Sequence, residues 1–223
     1  MSLPRRVEAV IFDMDGVLFD TEKLYEKSAI AAAAELGFEM SSAFFRSTIG
    51  SPWPIVRAQV LAQYGQHLAV DELGDISRRI FREFCETNHI LKPGVLELVE
   101  LLEGMGLPKA IATSSSRPTV ERHLTKYGLL GRFHVVAHGE YEKHKPHPEP
   151  YLKAAEGLKV APQACLALED SHHGVRSASS AGMMTIMVPD LLPCTPEIEG
   201  LCLRVVPDLH EVHRLISASP QPT

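Results

Sequence analysis

Val7–Asp15 reads VEAVIFDMD and is the most informative part of the sequence for the fold. Its first part, Val7–Phe12, is almost continuously apolar and rich in β-branched residues, which is typical of a short strand buried on both faces of a sheet. Asp13 ends the run, and Asp15 follows two positions later. The stretch therefore predicts a buried strand that carries two carboxylates at its carboxyl end.

Further short apolar runs, each followed by polar or turn residues, predict the other strands of the sheet. These runs are Ala110–Thr113, Val135–Ala137, Cys165–Leu168, Thr185–Val188 and Leu203–Val206. Helical patterns lie between them, as in Val95–Leu102 and from Pro118 to Tyr127. Because parallel neighbours need crossover connections, this alternation predicts an α/β fold with a parallel sheet between two layers of helices.

Residues 21–90 differ from the rest, because their patterns are helical and none indicates a strand. The predicted helices are Glu22–Leu36, Ile55–Tyr64 and Asp71–Asn88. This segment is inserted directly after the first strand, so it leaves and re-enters the carboxyl edge of the sheet, where ligands of open α/β folds bind. We therefore predict a catalytic core of residues 1–20 and 91–223 and an all-helical cap domain of residues 21–90.

Composition excludes several classes of function. A formal net charge of −6 disfavours a nucleic-acid partner, which needs clustered basic residues. The four cysteines are too sparse for a disulfide framework, and no stretch reaches the ~18 apolar residues of a membrane span, so we expect a cytoplasmic protein. No long heptad pattern is present, and we expect a monomer.

Polar residues follow three other predicted strands as well. They are Ser114, Lys145 and the adjacent pair Glu169 and Asp170. Each has an ordinary explanation when taken alone: a helix cap, a solvated lysine or a surface turn, and the acidic pair after the first strand could equally be a solvated turn. At one edge of a parallel sheet, however, all would share a crevice. Carboxylates there suit a hard cation such as Mg²⁺, and the lysine and hydroxyl suit phosphate oxygens.

Four segments resemble, in order, the four motifs of the haloacid dehalogenase superfamily. They are DMDGVLFDTE at 13–22, ATSSS at 112–116, HKPHPEPY at 144–151 and LEDSHHGVRSASSAGM at 168–183. The resemblance spans nearly the whole chain and is specific to the branch with a helical cap after the first motif, which includes β-phosphoglucomutase-like proteins and sugar-phosphate phosphatases. It implies a Rossmann-like core with a helical cap.

The resemblance also implies roles for the acidic residues. Asp13 would be the nucleophile that forms an aspartyl phosphate, and Asp15 the general acid that protonates the leaving oxygen and then activates water. Mg²⁺ would be held by the Asp13 carboxylate, the Asp15 backbone carbonyl and Asp170, with Glu169 either a further ligand or placed behind the ligands.

The same resemblance implies the groups that meet the substrate. Ser114, with its neighbour Ser115, and Lys145 would hold the transferring phosphoryl oxygens. In the cap, Tyr25 and Trp53 are candidate substrate contacts. The predicted function is a Mg²⁺-dependent phosphatase that acts on a small phosphorylated metabolite, either a sugar phosphate or a nucleoside monophosphate.

Two other functions stay open at this point. Phosphosugar mutases of the same family carry a histidine at the position of Tyr25 and an arginine at that of Trp53, so this chain lacks the groups that would hold a second phosphate. A non-catalytic phospho-receiver module also uses clustered acids, a hydroxyl and a lysine on a parallel sheet. In such a module the acidic pair precedes the phosphorylated aspartate on a separate strand, and that order differs from the one found here.

Overall fold

A computed structural model describes residues 3–49, 53–138 and 140–218 of the 223-residue chain. The chain divides into two compact units, with boundaries between Phe19 and Asp20 and between Ile90 and Leu91. One unit contains the sheet, and the other is helical. That the helical unit acts as a cap stays a prediction.

The first unit contains a six-stranded parallel sheet with the strand order β3-β2-β1-β4-β5-β6. The strands are β1 (Ala9–Phe12), β2 (Lys109–Ser116), β3 (His134–His138), β4 (Cys165–Glu169), β5 (Met184–Met187) and β6 (Arg204–Val205). Each of the apolar runs in the sequence forms one of these strands, and the predicted α/β fold is confirmed.

Strand β1 lies at the centre of the sheet, and all of its residues are buried. Phe12 is in register with Ile111 of β2 and with Leu168 of β4. Since the three strands are parallel, the residues that follow them meet at the same edge of the sheet. The sheet therefore brings together the segments that carry the predicted motifs.

Helices lie between the strands of this unit and after the last of them. They are α5 (Val95–Gly104), α6 (Arg117–Lys126), α7 (Glu149–Leu158), α8 (His172–Ser180), α9 (Pro196–Glu199) and α10 (Leu209–Ser217). Helix α7 buries Tyr151, Ala154 and Ala155 in one apolar cluster with Ile11 and Ala167 of the sheet. Burying apolar surface in this way stabilises the fold by roughly 25 cal/mol per Å².

The second unit consists of α1 (Glu22–Glu35), α2 (Ser42–Thr48), α3 (Trp53–Tyr64) and α4 (Val70–Thr87). Its core includes Ala32 and Ala33 of α1 and Leu73 and Ile80 of α4. The unit also contains a partly open, mainly apolar pocket of about 210 Å³, with Trp53 among its lining residues. Within the part of the chain that the structure describes, no helix is both long and apolar enough to cross a membrane.

Candidate active site

Asp13 and Asp15 lie just beyond β1. The Asp13 backbone N–H donates a hydrogen bond to the Leu168 carbonyl of β4, at 2.9 Å, which fixes Asp13 at the sheet edge. Gly16 has a φ of +83°, and a Cβ there would lie 2.1 Å from Oδ2 of Asp170. Glycine is therefore required both for the turn after Asp15 and for the close approach of the loop to the Asp170 carboxylate.

Lys145 bridges two carboxylates from different strands. Its Nζ lies 2.5 Å from Oδ1 of Asp13 and 2.6 Å from Oε1 of Glu169, and the lysine side chain is 8% exposed. Burial by itself would lower the pKa of Lys145, but the charges of Asp13 and Glu169 and the hydrogen bonds to both outweigh burial and raise it. Lys145 therefore stays cationic beside Asp13.

Burial and the neighbouring carboxylates oppose the ionised form of Asp13, and the ion pair with Lys145 favours it. Burial raises the pKa of Asp13 well above its usual range, and the nearby charges of Glu169 and Asp15 raise it further, whereas Lys145 lowers it. An additional cation beside Asp13 would shift the balance towards the carboxylate, which is the form that can act as a nucleophile.

Glu169 is fully buried and accepts hydrogen bonds on both carboxylate oxygens. Oε1 accepts from Lys145 Nζ and from the Tyr151 hydroxyl, at 2.6 and 2.7 Å. Oε2 accepts from the backbone N–H groups of Asp170 and Ser171 and from the Ser171 hydroxyl, at 3.1, 3.2 and 3.0 Å. The carboxylate is thus held rigidly from several directions.

The end of β2 places two serines in different surroundings. Ser115 is partly buried, and its hydroxyl donates to Oδ2 of Asp15 at 2.7 Å. Ser114 is exposed and lies beside the Tyr141 phenol, whose hydroxyl donates to the Thr113 carbonyl at 3.0 Å. The structure thus brings Ser115 to Asp15, a contact that the sequence did not predict.

The acidic residues offer a plausible set of metal ligands. Ligand atoms of Asp13, Glu169 and Asp170 all lie within 4.8 Å of one another, and these residues form the only such group of three or more within residues 3–49, 53–138 and 140–218. Carboxylate oxygens suit Mg²⁺, so the donor chemistry fits the predicted ion. By the distances between ligand atoms Glu169 belongs to this group, but its hydrogen bonds already occupy the roughly four lone-pair sites of a carboxylate. That Asp13 and Asp170 hold the ion, with Glu169 as a further ligand or behind them, stays a prediction.

The second unit contains Tyr25 and Trp53, the two residues predicted to contact the substrate from the cap. The Tyr25 ring stacks on Phe81, with centroids 3.8 Å apart. Trp53 opens α3 and is 44% exposed. A substrate contact by either residue stays a prediction.

Three residues around Glu169 were given no role by the sequence analysis. Tyr151 donates to Glu169, Ser171 both donates to it and accepts from the Gly174 N–H, and a Cβ on Gly174 would lie 1.8 Å from the Glu169 carboxylate. Ser171 could have been recognised as a helix cap directly after the acidic pair. Tyr151 could have been placed inward from its helical spacing with Ala154 and Ala155.

Comparison with known proteins places this site in a family. The family described as haloacid dehalogenase-like hydrolase matches residues 10–188. Hexitol phosphatase B of Escherichia coli (strain K12) is 35% identical over 196 residues, which cover 85% of this chain and 86% of the relative. The phosphorylated carbohydrates phosphatase of Thermotoga maritima is 34% identical over 185 residues, which cover 81% and 84% of the two chains.

Solved structures show the same architecture. A putative β-phosphoglucomutase from Thermotoga maritima superimposes with a TM-score of 0.79 at 28% identity and covers 95% of this chain and 100% of its own. CbbY from Rhodobacter sphaeroides, determined in complex with phosphate, gives a TM-score of 0.77 at 27% identity, with 92% and 96% covered. These neighbours include proteins named for different reactions, so the fold alone does not identify the substrate.

Proposed function

The chain belongs to the haloacid dehalogenase-like hydrolase family, and we propose that it is a Mg²⁺-dependent phosphatase that hydrolyses a phosphorylated sugar or sugar alcohol. The sequence-predicted family and the class of enzyme are confirmed by the family match and by relatives named as phosphatases. The metal, the mechanism and the substrate are the parts that we propose.

The contact of Lys145 with Asp13 carries the proposal. A buried lysine 2.5 Å from a buried carboxylate, with Asp170 beside them, combines a nucleophile with positive charge that can receive an anionic phosphoryl group. A carboxylate cannot easily approach a phosphate dianion unless that charge is neutralised. The site supplies part of this neutralisation through Lys145.

In the proposed first step, one carboxylate oxygen of Asp13 forms a bond to phosphorus while the bond between phosphorus and the sugar oxygen breaks. Asp15 donates a proton to that sugar oxygen, and the alcohol leaves. Lys145 and Ser114 hold phosphoryl oxygens during the transfer. A Mg²⁺ ion held by Asp13, Asp170 and, as the family resemblance implies, the Asp15 backbone carbonyl would supply Lewis-acid neutralisation of the phosphoryl charge.

In the second step, water attacks phosphorus and the bond to the Asp13 oxygen breaks. Asp15 takes a proton from that water, so it returns to its starting protonation state and inorganic phosphate is released. The hydrogen bond from Ser115 orients Asp15 for both proton transfers. Splitting the displacement in two lowers the barrier that a single step would face.

The proposed substrate class rests on the relatives and not on the geometry. The two relatives described above are named as a hexitol phosphatase and a phosphatase of phosphorylated carbohydrates. A mutase of phosphosugars is the second candidate, because the structural neighbour from Thermotoga maritima is named as a putative β-phosphoglucomutase. Tyr25 and Trp53 oppose it, since they stand where mutases have a histidine and an arginine.

The test is a screen for phosphate release with Mg²⁺ across hexose phosphates, hexitol phosphates and nucleoside monophosphates. We expect sustained turnover of at least one carbohydrate phosphate and a loss of at least about 10³-fold in Asp13→Asn, since an amide is a poor nucleophile. Wild-type turnover in Asp13→Asn would refute the mechanism. Isomerisation of a sugar phosphate without phosphate release, followed by ³¹P NMR, would favour the mutase, and a single unreleased phosphoryl group would favour a receiver.

A further inference from the structure

We propose that Tyr151 is a positioning residue that acts through Glu169 to hold Lys145 beside Asp13. The inference rests on the proposed function, because it assigns the Lys145 side chain to the transferring phosphoryl group. It also makes Glu169 the anionic anchor of Lys145.

The geometry joins the three side chains at one atom. Oε1 of Glu169 accepts from the Tyr151 hydroxyl at 2.7 Å and from Lys145 Nζ at 2.6 Å. The Tyr151 ring also faces the lysine, with Nζ 5.0 Å from the ring centroid. Tyr151 therefore contacts both partners of the ion pair.

Tyr151 is itself held firmly. It is fully buried on α7 and packs in the apolar cluster with Ile11, Ala112 and Ala167 of the sheet. A close-packed aromatic ring has little freedom to move, so the position of its hydroxyl is set by the core. The hydroxyl can in turn fix the position of the carboxylate that it meets.

Oε2, the other carboxylate oxygen of Glu169, cannot move to replace a hydrogen bond lost at Oε1. Oε2 accepts from two backbone N–H groups and from the Ser171 hydroxyl, and Gly174 lies against the carboxylate so closely that a Cβ would be 1.8 Å away. Any rotation of the Glu169 carboxylate would break several of these bonds. Loss of the Tyr151 hydroxyl would remove one of the two hydrogen bonds described for Oε1 and would leave those of Oε2 in place.

The experiment compares Tyr151→Phe with Tyr64→Phe, a matched loss of a phenol hydroxyl in the second unit, where Tyr64 packs against Phe38 and Phe44. The measurements are kcat and KM for p-nitrophenyl phosphate with Mg²⁺, the affinity for Mn²⁺ by electron paramagnetic resonance, and the melting temperature. For Tyr151→Phe we expect kcat to fall about tenfold, KM to stay within about threefold and the Mn²⁺ affinity to stay within about twofold. Tyr64→Phe should match the wild type.

Each other outcome overturns a stated part of the inference. A kcat of Tyr151→Phe within about twofold of the wild type would show that the hydroxyl does not position Lys145. A Mn²⁺ affinity that weakens about tenfold together with kcat would show that Tyr151 orients a metal ligand instead. Absence of turnover in the wild type would refute the proposed function, and the Tyr151 role with it, which distinguishes that failure from an effect of the variant.

Discussion

At the scale of single residues, Ser115 and Ser116 have different surroundings although they are neighbours in sequence. The Ser115 hydroxyl donates to Asp15 at 2.7 Å, whereas the exposed Ser116 hydroxyl contacts Thr119 at 3.1 Å. A proton donor contributes only when it is aimed at the reacting oxygen, and general acid catalysis is worth about 10² to 10⁴-fold. The orientation of Asp15 is therefore expected to depend on Ser115.

We predict that Ser115→Ala lowers kcat by about 3 to 30-fold, because Asp15 loses the bond that orients it. Ser116→Ala is the matched control and should keep the wild-type rate. Steady-state kinetics on one substrate with saturating Mg²⁺ measure both. Equal rates in the two variants would contradict a positioning role for Ser115.

His123 provides a second prediction at this scale. Its side chain is buried at 1% exposure, and among the described residues neither ring nitrogen has a hydrogen-bond partner. The ring packs edge-on against Phe19. Burial lowers the pKa of His123 below its ordinary value of 6.5; Asp15 opposes the shift, and Arg122 and Lys126 add to it.

The sign of the resulting pH effect follows from linkage. The pKa of His123 is lower in the folded protein than in the unfolded chain, so the unfolded state binds a proton first as the pH falls. The free energy of unfolding therefore decreases below about pH 6.5. His123→Leu removes this contribution. Between about pH 7.5 and pH 5.5, we expect the wild type to lose more unfolding free energy than His123→Leu, by at most about 1.4 kcal/mol, the limit set by an unfolded pKa of about 6.5, measured by urea denaturation. Parallel pH profiles for the two proteins would refute the assignment.

At the scale of elements, α8 illustrates how a helix start and the site depend on each other. Ser171 caps the helix by accepting from the Gly174 N–H at 3.1 Å, and its hydroxyl donates to Glu169. Gly174 leaves the space that the Glu169 carboxylate occupies. The residues that start α8 therefore also hold the Glu169 carboxylate in place.

We predict that Gly174→Ala destabilises the protein by about 1 to 3 kcal/mol, because the added methyl group overlaps a carboxylate that its hydrogen bonds hold in place. Gly104→Ala is the matched control on α5, where a Cβ would meet nothing within 4 Å. In that variant we expect a gain of up to about 1 kcal/mol from the higher helix propensity of alanine. Chemical denaturation gives both values, and equal changes in the two variants would contradict the crowding at Gly174.

The sequence predicted most elements, for reasons that the structure makes clear. Buried parallel strands are short apolar runs, and each of the predicted runs forms a strand. Helices α2 and α10 were not predicted, although each begins with a capping side chain: Ser41 accepts from the Phe44 N–H, and Asp208 accepts from the Glu211 N–H. Those caps were readable in the sequence, so these two helices could have been predicted.

At the scale of the whole molecule, the sequence also predicted which segments meet. Strand order brings the residues after β1, β3 and β4 to one edge, and Asp13, Lys145 and Glu169 are in contact there. The contacts of Ser115 and Tyr151 could not be predicted, because they depend on distances between side chains from separate elements. Local patterns do not contain those distances.

The proposed Mg²⁺ site combines carboxylates from two distant segments of the chain, Asp13 after β1 and Asp170 after β4. Mg²⁺ that binds only the folded protein stabilises it by about 2.7 kcal/mol at a free concentration about 100 times its Kd. For a domain of this size each kcal/mol raises the melting temperature by about 2 to 4 °C, so we expect Mg²⁺ to raise it by about 5 to 10 °C. Thermal unfolding with and without EDTA measures the shift.

A matched pair of variants separates site binding from a general effect of salt. Asp170→Asn removes a proposed ligand and should abolish most of the shift, because a neutral amide replaces a charged oxygen donor. Asp71→Asn removes an exposed carboxylate that pairs with Arg57 at 2.9 Å, and it should keep the full shift. If Mg²⁺ stabilises all three proteins equally, the ion acts on the surface and the acidic cluster is not its site; if only Asp170→Asn is unresponsive, the buried carboxylates at the sheet edge hold the ion.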